Sequence, residues 1–215
     1  MGFWRRATPS YHKLGFGGPD TYNPVMTKSV LIIMALLAPA MQNGGETSRQ
    51  LIDNNRVTVR EVTAASTPLG SRNYDVVAID LDAKTAVFVA KGTTRAAAKH
   101  AIVVDLKDVT VFPIQNKTPY PLAFPRPGVK KLVDNNRVFV WDYTWTPGKP
   151  TPMHFHDKDV VVVYLADGQL KSTTPDGKSE INTISFGLTR FNAPNRTHTE
   201  ELIKGSARAI IVELK

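Results

Sequence analysis

Gly148-Lys-Pro-Thr-Pro-Met-His154-Phe155-His156-Asp-Lys-Asp-Val160-Val-Val-Val-Tyr164-Leu-Ala-Asp-Gly168 is the stretch on which the reading of this chain turns. It opens at a Pro147-Gly148 turn and closes at an Ala166-Asp167-Gly168 turn. Between them, Val160 to Leu165 is a short apolar run of the kind that fills a buried strand. Side chains alternate along a strand, so His154 and His156 point to one side and Phe155 to the other. Paired imidazoles are ready ligands for zinc, iron, copper or nickel. A lone His-x-His is a weak signal, because surface loops produce it by chance. Its frame gives it weight.

The flanking sequence reads as strands too. Val138-Phe-Val-Trp-Asp-Tyr-Thr-Trp145 is rich in β-branched and aromatic residues, and Ala209 to Leu214 is another apolar run. Pro175-Asp176-Gly177 joins Leu170–Thr174 to Ser179–Ser185 as a hairpin. No stretch sustains a helical period. Many short strands separated by Gly, Pro and Asp turns predict an all-β sandwich or barrel.

An internal repeat organises the chain. Leu51-Ile-Asp-Asn-Asn-Arg-Val57 matches Leu132-Val-Asp-Asn-Asn-Arg-Val138 at an offset of 81 residues. Asp75–Leu81 matches Asp159–Leu165 at 84, and Ala101–Lys107 matches Ala209–Lys215 at 108. The first copy is therefore about 24 residues shorter in its later part, and the hairpin around Pro175-Asp176-Gly177 is the segment it should lack. The copies divide as 41–111 and 132–215. Residues 112–131, with Pro113, Pro119, Pro121, Pro125 and Pro127, read as an extended connector.

Residues 1–40 differ from the rest. Lys28, the apolar run Val30–Leu37 and Ala38-Pro39-Ala40 form a basic flank, a hydrophobic segment and a small-residue cleavage site, the pattern of a signal peptide over about Met26–Ala40. The run is too short to span a bilayer. Export to the periplasm or outside the cell is expected. The alternative is a buried element of the mature fold. Cysteine is absent, which excludes disulfides, thiolate zinc sites and thiol catalysis. Of the net charge of +8, the leader holds +3, and the remaining +5 is scattered. No basic stripe interleaved with aromatics is present, so nucleic acid is not an expected partner and a small molecule is.

The spacing around the histidines resembles that of the cupin superfamily. Its first motif is Gly, five residues, His-x-His, three or four residues, Glu, six residues, Gly. Gly148, His154, His156 and Gly168 fit it with the four-residue option, and the Glu position falls on Val161, read as a plain wall residue. Its second motif runs Gly, five residues, Pro-x-Gly, two residues, His, three residues, Asn. Gly187 and His198 keep its span. Pro194 is one place late, Asn195 stands where the second Gly should be, and the last Asn position is Leu202. Asn is the residue that best replaces Gly at positive φ.

The resemblance implies a double-stranded β-helix, the cupin or jelly-roll barrel, in two unequal repeats. It implies one divalent metal ion on His154, His156 and His198, with iron first and zinc, manganese, nickel or copper as alternatives. Gly70 and Arg72 take the two His positions in the first copy, which should be structural. Glu200 is either a substitute carboxylate ligand or solvated. Arg190 and Lys149 lie on nearby segments and could meet an anionic substrate, as could Tyr143. Trp141, Tyr143 and Trp145 share a strand face that either lines the cavity mouth or packs against the other half, packing being the expected role. A three-histidine set is similar to that of the cupin dioxygenases for cysteine and β-diketones, in its metal ligands only. The functional expectation is an exported metal-dependent enzyme, an iron-type dioxygenase acting on a small anionic or chelating molecule. The alternative is a non-catalytic cupin that senses or sequesters a metal or ligand. A homo-oligomer is compatible with either.

Overall fold

The computed structural model describes residues 47–63, 68–69, 73–111 and 114–215. The leader, Gly70, Arg72 and Pro113 lie outside the described residues. No helix occurs among the described residues, which form a succession of strands. The first copy supplies β1 (Thr47–Asp53), β2 (Val57–Thr63), β3 (Pro68–Leu69), β4 (Asp75–Asp80), β5 (Thr85–Val89), β6 (Arg95–Ala96) and β7 (His100–Leu106). The second supplies β8 (Lys130–Asp134), β9 (Val138–Trp145), β10 (His154–His156), β11 (Val160–Tyr164) and β12 (Gly168–Thr173). It continues with β13 (Ser179–Ile184), β14 (Thr189–Asn192), β15 (Arg196–Gly205) and β16 (Ala207–Leu214).

The repeat has a direct structural meaning. The first copy forms a sheet in the order β1-β2-β7-β4-β5 and the second one in the order β8-β9-β16-β11-β14, the same topology strand for strand. The shared Asp-Asn-Asn-Arg sequence makes the same turn twice. The Asn54 carboxamide oxygen accepts the Arg56 and Val57 N–H groups, and Asn135 does the same for Arg137 and Val138. The copies also hold each other reciprocally. Arg56 Nε lies 3.3 Å from the Asp159 carboxylate, and Arg137 Nε lies 3.4 Å from that of Asp75. Arg137 further donates to the Leu106 and Lys107 carbonyls, as Arg56 does to that of Lys215.

The two five-stranded sheets pack face to face through one core. Val57, Val59, Val77, Ile79 and Val104 meet Val138, Val140, Val161, Val163, Ile210 and Val212 there. The other face of the second sheet turns toward the four-stranded sheet β10-β15-β12-β13, which completes the barrel. Trp141, Trp145, Val160, Val162, Tyr164, Leu170, Ile184, Leu202 and Ile211 fill its interior.

In the first copy the segment between β4 and β5 is a short turn, where the second copy has the β12–β13 hairpin. Its counterpart of the four-stranded sheet is reduced to the two-residue pair β3–β6. Among the described residues the first half is thus one whole sheet with a remnant of the other, not a barrel short of one hairpin.

The aromatic strand corrects an expectation. Alternation along β9 sends Val138 and Val140 into the inter-sheet core, whereas Trp141, Tyr143 and Trp145 face the barrel interior. The aliphatic side of β9, not the aromatic one, packs against the other half. The connector is likewise more than a spacer. Leu122 bridges Phe155 in parallel, with Ala123 N–H donating to the Phe155 carbonyl and Phe155 N–H to that of Pro121, both at 2.8 Å. Ala123 and Phe124 are buried in the barrel interior.

Candidate metal centre

Two strands bring the histidines together. β10 is buried along its whole length, and alternation turns His154 and His156 to the same side. β15 runs antiparallel beside it, with His198 directly opposite His154. The three rings form a near-equilateral triangle, their centroids 5.0, 4.9 and 5.1 Å apart, each edge toward its neighbours. One ring nitrogen from each lies within 4.8 Å of the others.

Glycine and asparagine geometry fixes the frame. Gly148 and Gly187 have φ of +69° and +78°, and Asn195, in the slot of a motif glycine, has φ of +63°. Asn tolerates that left-handed conformation, so the turn into β15 survives the exchange. Asn195 N–H then donates to the His156 carbonyl at 2.8 Å, tying the turn to β10. Thr151, buried before β10, grips the other end. Its N–H and Oγ1 bond the Glu200 backbone carbonyl and N–H, both at 2.8 Å, and its carbonyl accepts the Thr199 hydroxyl.

The electrostatics suit neutral ligands. Burial, seconded by the Arg126 charge, pulls His154 down to about 4 from an ordinary 6.5. Burial and the Arg196 charge hold His156 far below the usual range, and burial lowers His198 as well. At neutral pH all three imidazoles are uncharged, with lone pairs available. Pro152 O lies 2.7 Å from His154 Nδ1, which makes that nitrogen the N–H donor and leaves Nε2 as the lone-pair nitrogen. His156 and His198 approach through their Nε2 atoms at 3.2 Å. Two nitrogens bound about 2.1 Å from one ion at tetrahedral or octahedral angles lie roughly 3.0–3.4 Å apart. The donor set therefore fits one divalent ion.

Glu200 is not part of that cluster. It is part-buried rather than fully solvated: it accepts the Trp145 indole N–H at 3.2 Å and sits 3.7 Å from Arg126 Nη2. Burial pushes its carboxyl up, but attraction to His198 in its protonated form, to Arg126 and to protonated His154 outweighs that and holds it below the usual range. It serves as a counter-ion, not a ligand. The Glu slot of the motif also differs from expectation. Val161 lies in the core between the two five-stranded sheets, facing away from the histidines. Its neighbour Val160 lines the cavity beside His156, so the wall there is apolar by a different residue.

That cavity, about 30 Å³, is bounded by Arg126, Trp145, His156, Val160, Arg196, His198 and Glu200. It adjoins a wider cup of about 540 Å³ that shares Tyr164, Asn192, Arg196, His198 and Glu200 with it and adds Arg190, Asn182 and Glu180. Arg190 is thus at the cup, but its guanidinium already donates to Asn182 Oδ1 at 2.6 Å and the Thr183 carbonyl at 3.3 Å. Tyr143 stacks under Arg126 inside the barrel. Lys149 is exposed and lines neither space.

The sequence reading missed Arg126. Its guanidinium lies 4.6, 4.1 and 5.9 Å from the Phe124, Tyr143 and Trp145 ring centroids, with Nη1 3.5 Å from His154 Nε2. The only local signal was an arginine between two prolines in a segment that reads as linker.

Strand order, barrel and histidine cluster together define a double-stranded β-helix whose histidine cluster is compatible with a metal ion. No family model matches the chain. A cupin domain from Bordetella pertussis is 28% identical, with 43% of this chain and 99% of that one covered and a TM-score of 0.38. A cupin 2 conserved barrel domain protein from Leptotrichia buccalis is 14% identical over 80% of this chain and 89% of that one, with a TM-score of 0.44. The chain belongs to the cupin superfamily. It is similar to the Beta-alanine degradation protein BauB of Pseudomonas aeruginosa, 34% identical over 79 residues, which are 37% of this chain and 80% of that protein.

Proposed function

We propose that this is an exported, metal-dependent cupin enzyme, an oxidoreductase of the iron dioxygenase type, acting on a small anionic molecule. The observation that carries the reading is the trio His154, His156 and His198, neutral and converging, with His198 lining a polar cup. A divalent ion held there supplies Lewis-acid polarisation of a bound oxygen donor and, as iron, reaction with dioxygen. Pro152 and the β10–β15 register keep the imidazoles aimed. Phe124, Trp145, Val160 and Val162 exclude water from one side. Glu200 offsets part of the cationic charge of Arg126 and Arg196. BauB is named for the degradation of β-alanine, itself a small carboxylate, which accords with this substrate class.

A non-catalytic metal or ligand binder is the competing reading. The cup lined by Arg190, Arg196, Asn182, Asn192 and Glu200 favours the enzyme over a metal-sequestering protein, which has no need of an adjoining polar chamber. Among the described residues no helix is long and apolar enough to cross a membrane. Export rests on Met26–Ala40, and amino-terminal sequencing of protein from its native host should find a start near Met41. Protein loaded anaerobically with Fe(II), then mixed with air and a panel of small carboxylates, should consume oxygen with at least one of them, and His198→Ala should not. Stoichiometric metal with no uptake on any panel member would instead support the binder.

A further inference from the structure

The guanidinium of Arg126 is buried, its side chain 7% exposed, yet it is poorly partnered. Nε has no hydrogen-bond partner, Nη1 reaches only His154 Nε2 at 3.5 Å, and Nη2 lies 3.7 Å from Glu200. An arginine carries five N–H donors and no acceptor. The one nearby carboxylate is shared with the Trp145 indole. The aromatic rings of Phe124, Tyr143 and Trp145 hold the cation in place without satisfying its donors. Arg196, on β15 opposite His156 in register, lines the same cavity. Its Nε donates to the Ala193 carbonyl at 2.8 Å, and its Nη groups have no partner among the described residues. Both side chains line the cavity against His156 and His198, and Arg196 continues into the cup.

Together the charged walls are Arg126, Arg190 and Arg196 against Glu200 and Glu180, with the histidines neutral. Charge and donors both lack an anion. We propose that Arg126 and Arg196 form a clamp for a carboxylate group of the ligand, held beside the histidine cluster, an inference resting on the reading of this cup as the substrate site. A carboxylate matches the planar donor fork of arginine. The narrow space beside the two guanidinium groups, about 30 Å³, favours a flat carboxylate over a bulkier tetrahedral phosphate.

Isothermal titration of the full protein with propionate tests the clamp, with propionamide and inorganic phosphate as comparison ligands. Propionate should bind, and propionamide and phosphate should bind at least about tenfold more weakly. Arg126→Gln should weaken propionate by about tenfold or more, Arg196→Gln severalfold, and Arg126→Lys by an intermediate factor, because the charge stays and the fork is lost. Lys149→Gln should change nothing. Equal propionate binding in both glutamine variants, or equal binding of propionamide, would overturn the clamp. If Arg126→Gln does not fold, Arg196→Gln decides by the same criterion. The titration is run on metal-loaded and metal-free protein, because the two readings fail differently. Arginine-dependent propionate binding to a protein that takes up no metal would sink the metalloenzyme and spare the clamp. Stoichiometric metal with arginine-independent binding would do the reverse.

Discussion

Val161→Glu and Val160→Glu make a matched test of the barrel register. The cupin motif with its four-residue spacing puts the acidic ligand at 161, but that side chain is fully buried among Val138, Val163 and Val212 between the two sheets. A carboxyl placed there finds no cation or donor, so it stays protonated. Holding a glutamic acid of ordinary pKa near 4.3 in that form at pH 7 costs about 4 kcal/mol. Forcing the larger side chain into a packed core adds roughly 1–3 kcal/mol. The sum is comparable to the whole stability of a typical domain, about 5–15 kcal/mol. At 160 the side chain faces the cavity of His156, Arg126 and Arg196. There a carboxylate meets two guanidinium groups and points to the metal position, so its cost should be below about 2 kcal/mol, with tighter metal binding. Urea denaturation followed by tryptophan fluorescence, and metal competition with a chromophoric chelator, measure both effects. A stable Val161→Glu protein with raised metal affinity, beside a crippled Val160→Glu, would show that the faces of β11 are reversed.

Three further outcomes follow from the same structure. In metal-free protein the depressed pKa of His154, about 4, means that the unfolded chain takes up the proton first as pH falls. Stability from this residue is present above about pH 6.5 and declines toward pH 4 by about 3 kcal/mol, and equal urea midpoints at pH 7 and pH 4.5 would contradict it. In Gly168→Ala the new methyl would meet the Ser206 carbonyl and lie 2.7 Å from the Lys204 carbonyl. A loss of about 3 kcal/mol is expected in the same melts, and an unchanged midpoint would mean that β12 and the β15–β16 turn are not so close. Residues 47–111 expressed alone would bare Val57, Val59, Val77, Ile79 and Val104, all fully buried in the intact protein. At roughly 2 kcal/mol each that loss should leave the fragment unfolded by circular dichroism and NMR, and a cooperative melt of the fragment would refute the shared core.

Much of this was legible because it is written locally. The Asp-Asn-Asn-Arg turns, the strand runs and the shortened first copy are sequence features that map directly onto equivalent strands. Asn195 could be read as a glycine substitute because a positive φ leaves few other candidates, and its φ is +63°. The histidines were visible through their spacing. What escaped depends on which face of a strand meets which layer. Trp141, Tyr143 and Trp145 look like packing residues, but one-residue alternation gives the inter-sheet contact to Val138 and Val140 instead. Val161 was assigned by counting, and the same alternation sends it away from the site. Arg126 was hidden because the pairing of Leu122 with Phe155 is non-local, and nothing in a proline-rich stretch announces that it folds into a barrel. Glu200 read as either ligand or solvent-facing, since a part-buried counter-ion role becomes visible only once Arg126 is in place.

Metal content tests the central claim most directly. Protein purified without a polyhistidine tag and analysed by inductively coupled plasma mass spectrometry should carry one divalent ion per chain. X-ray absorption should show imidazole nitrogens at about 2.0–2.2 Å. The double variant His154→Ala, His156→Ala should lose the ion and keep its fold. No stoichiometric metal in the native protein, or undiminished metal in the double variant, would contradict the account.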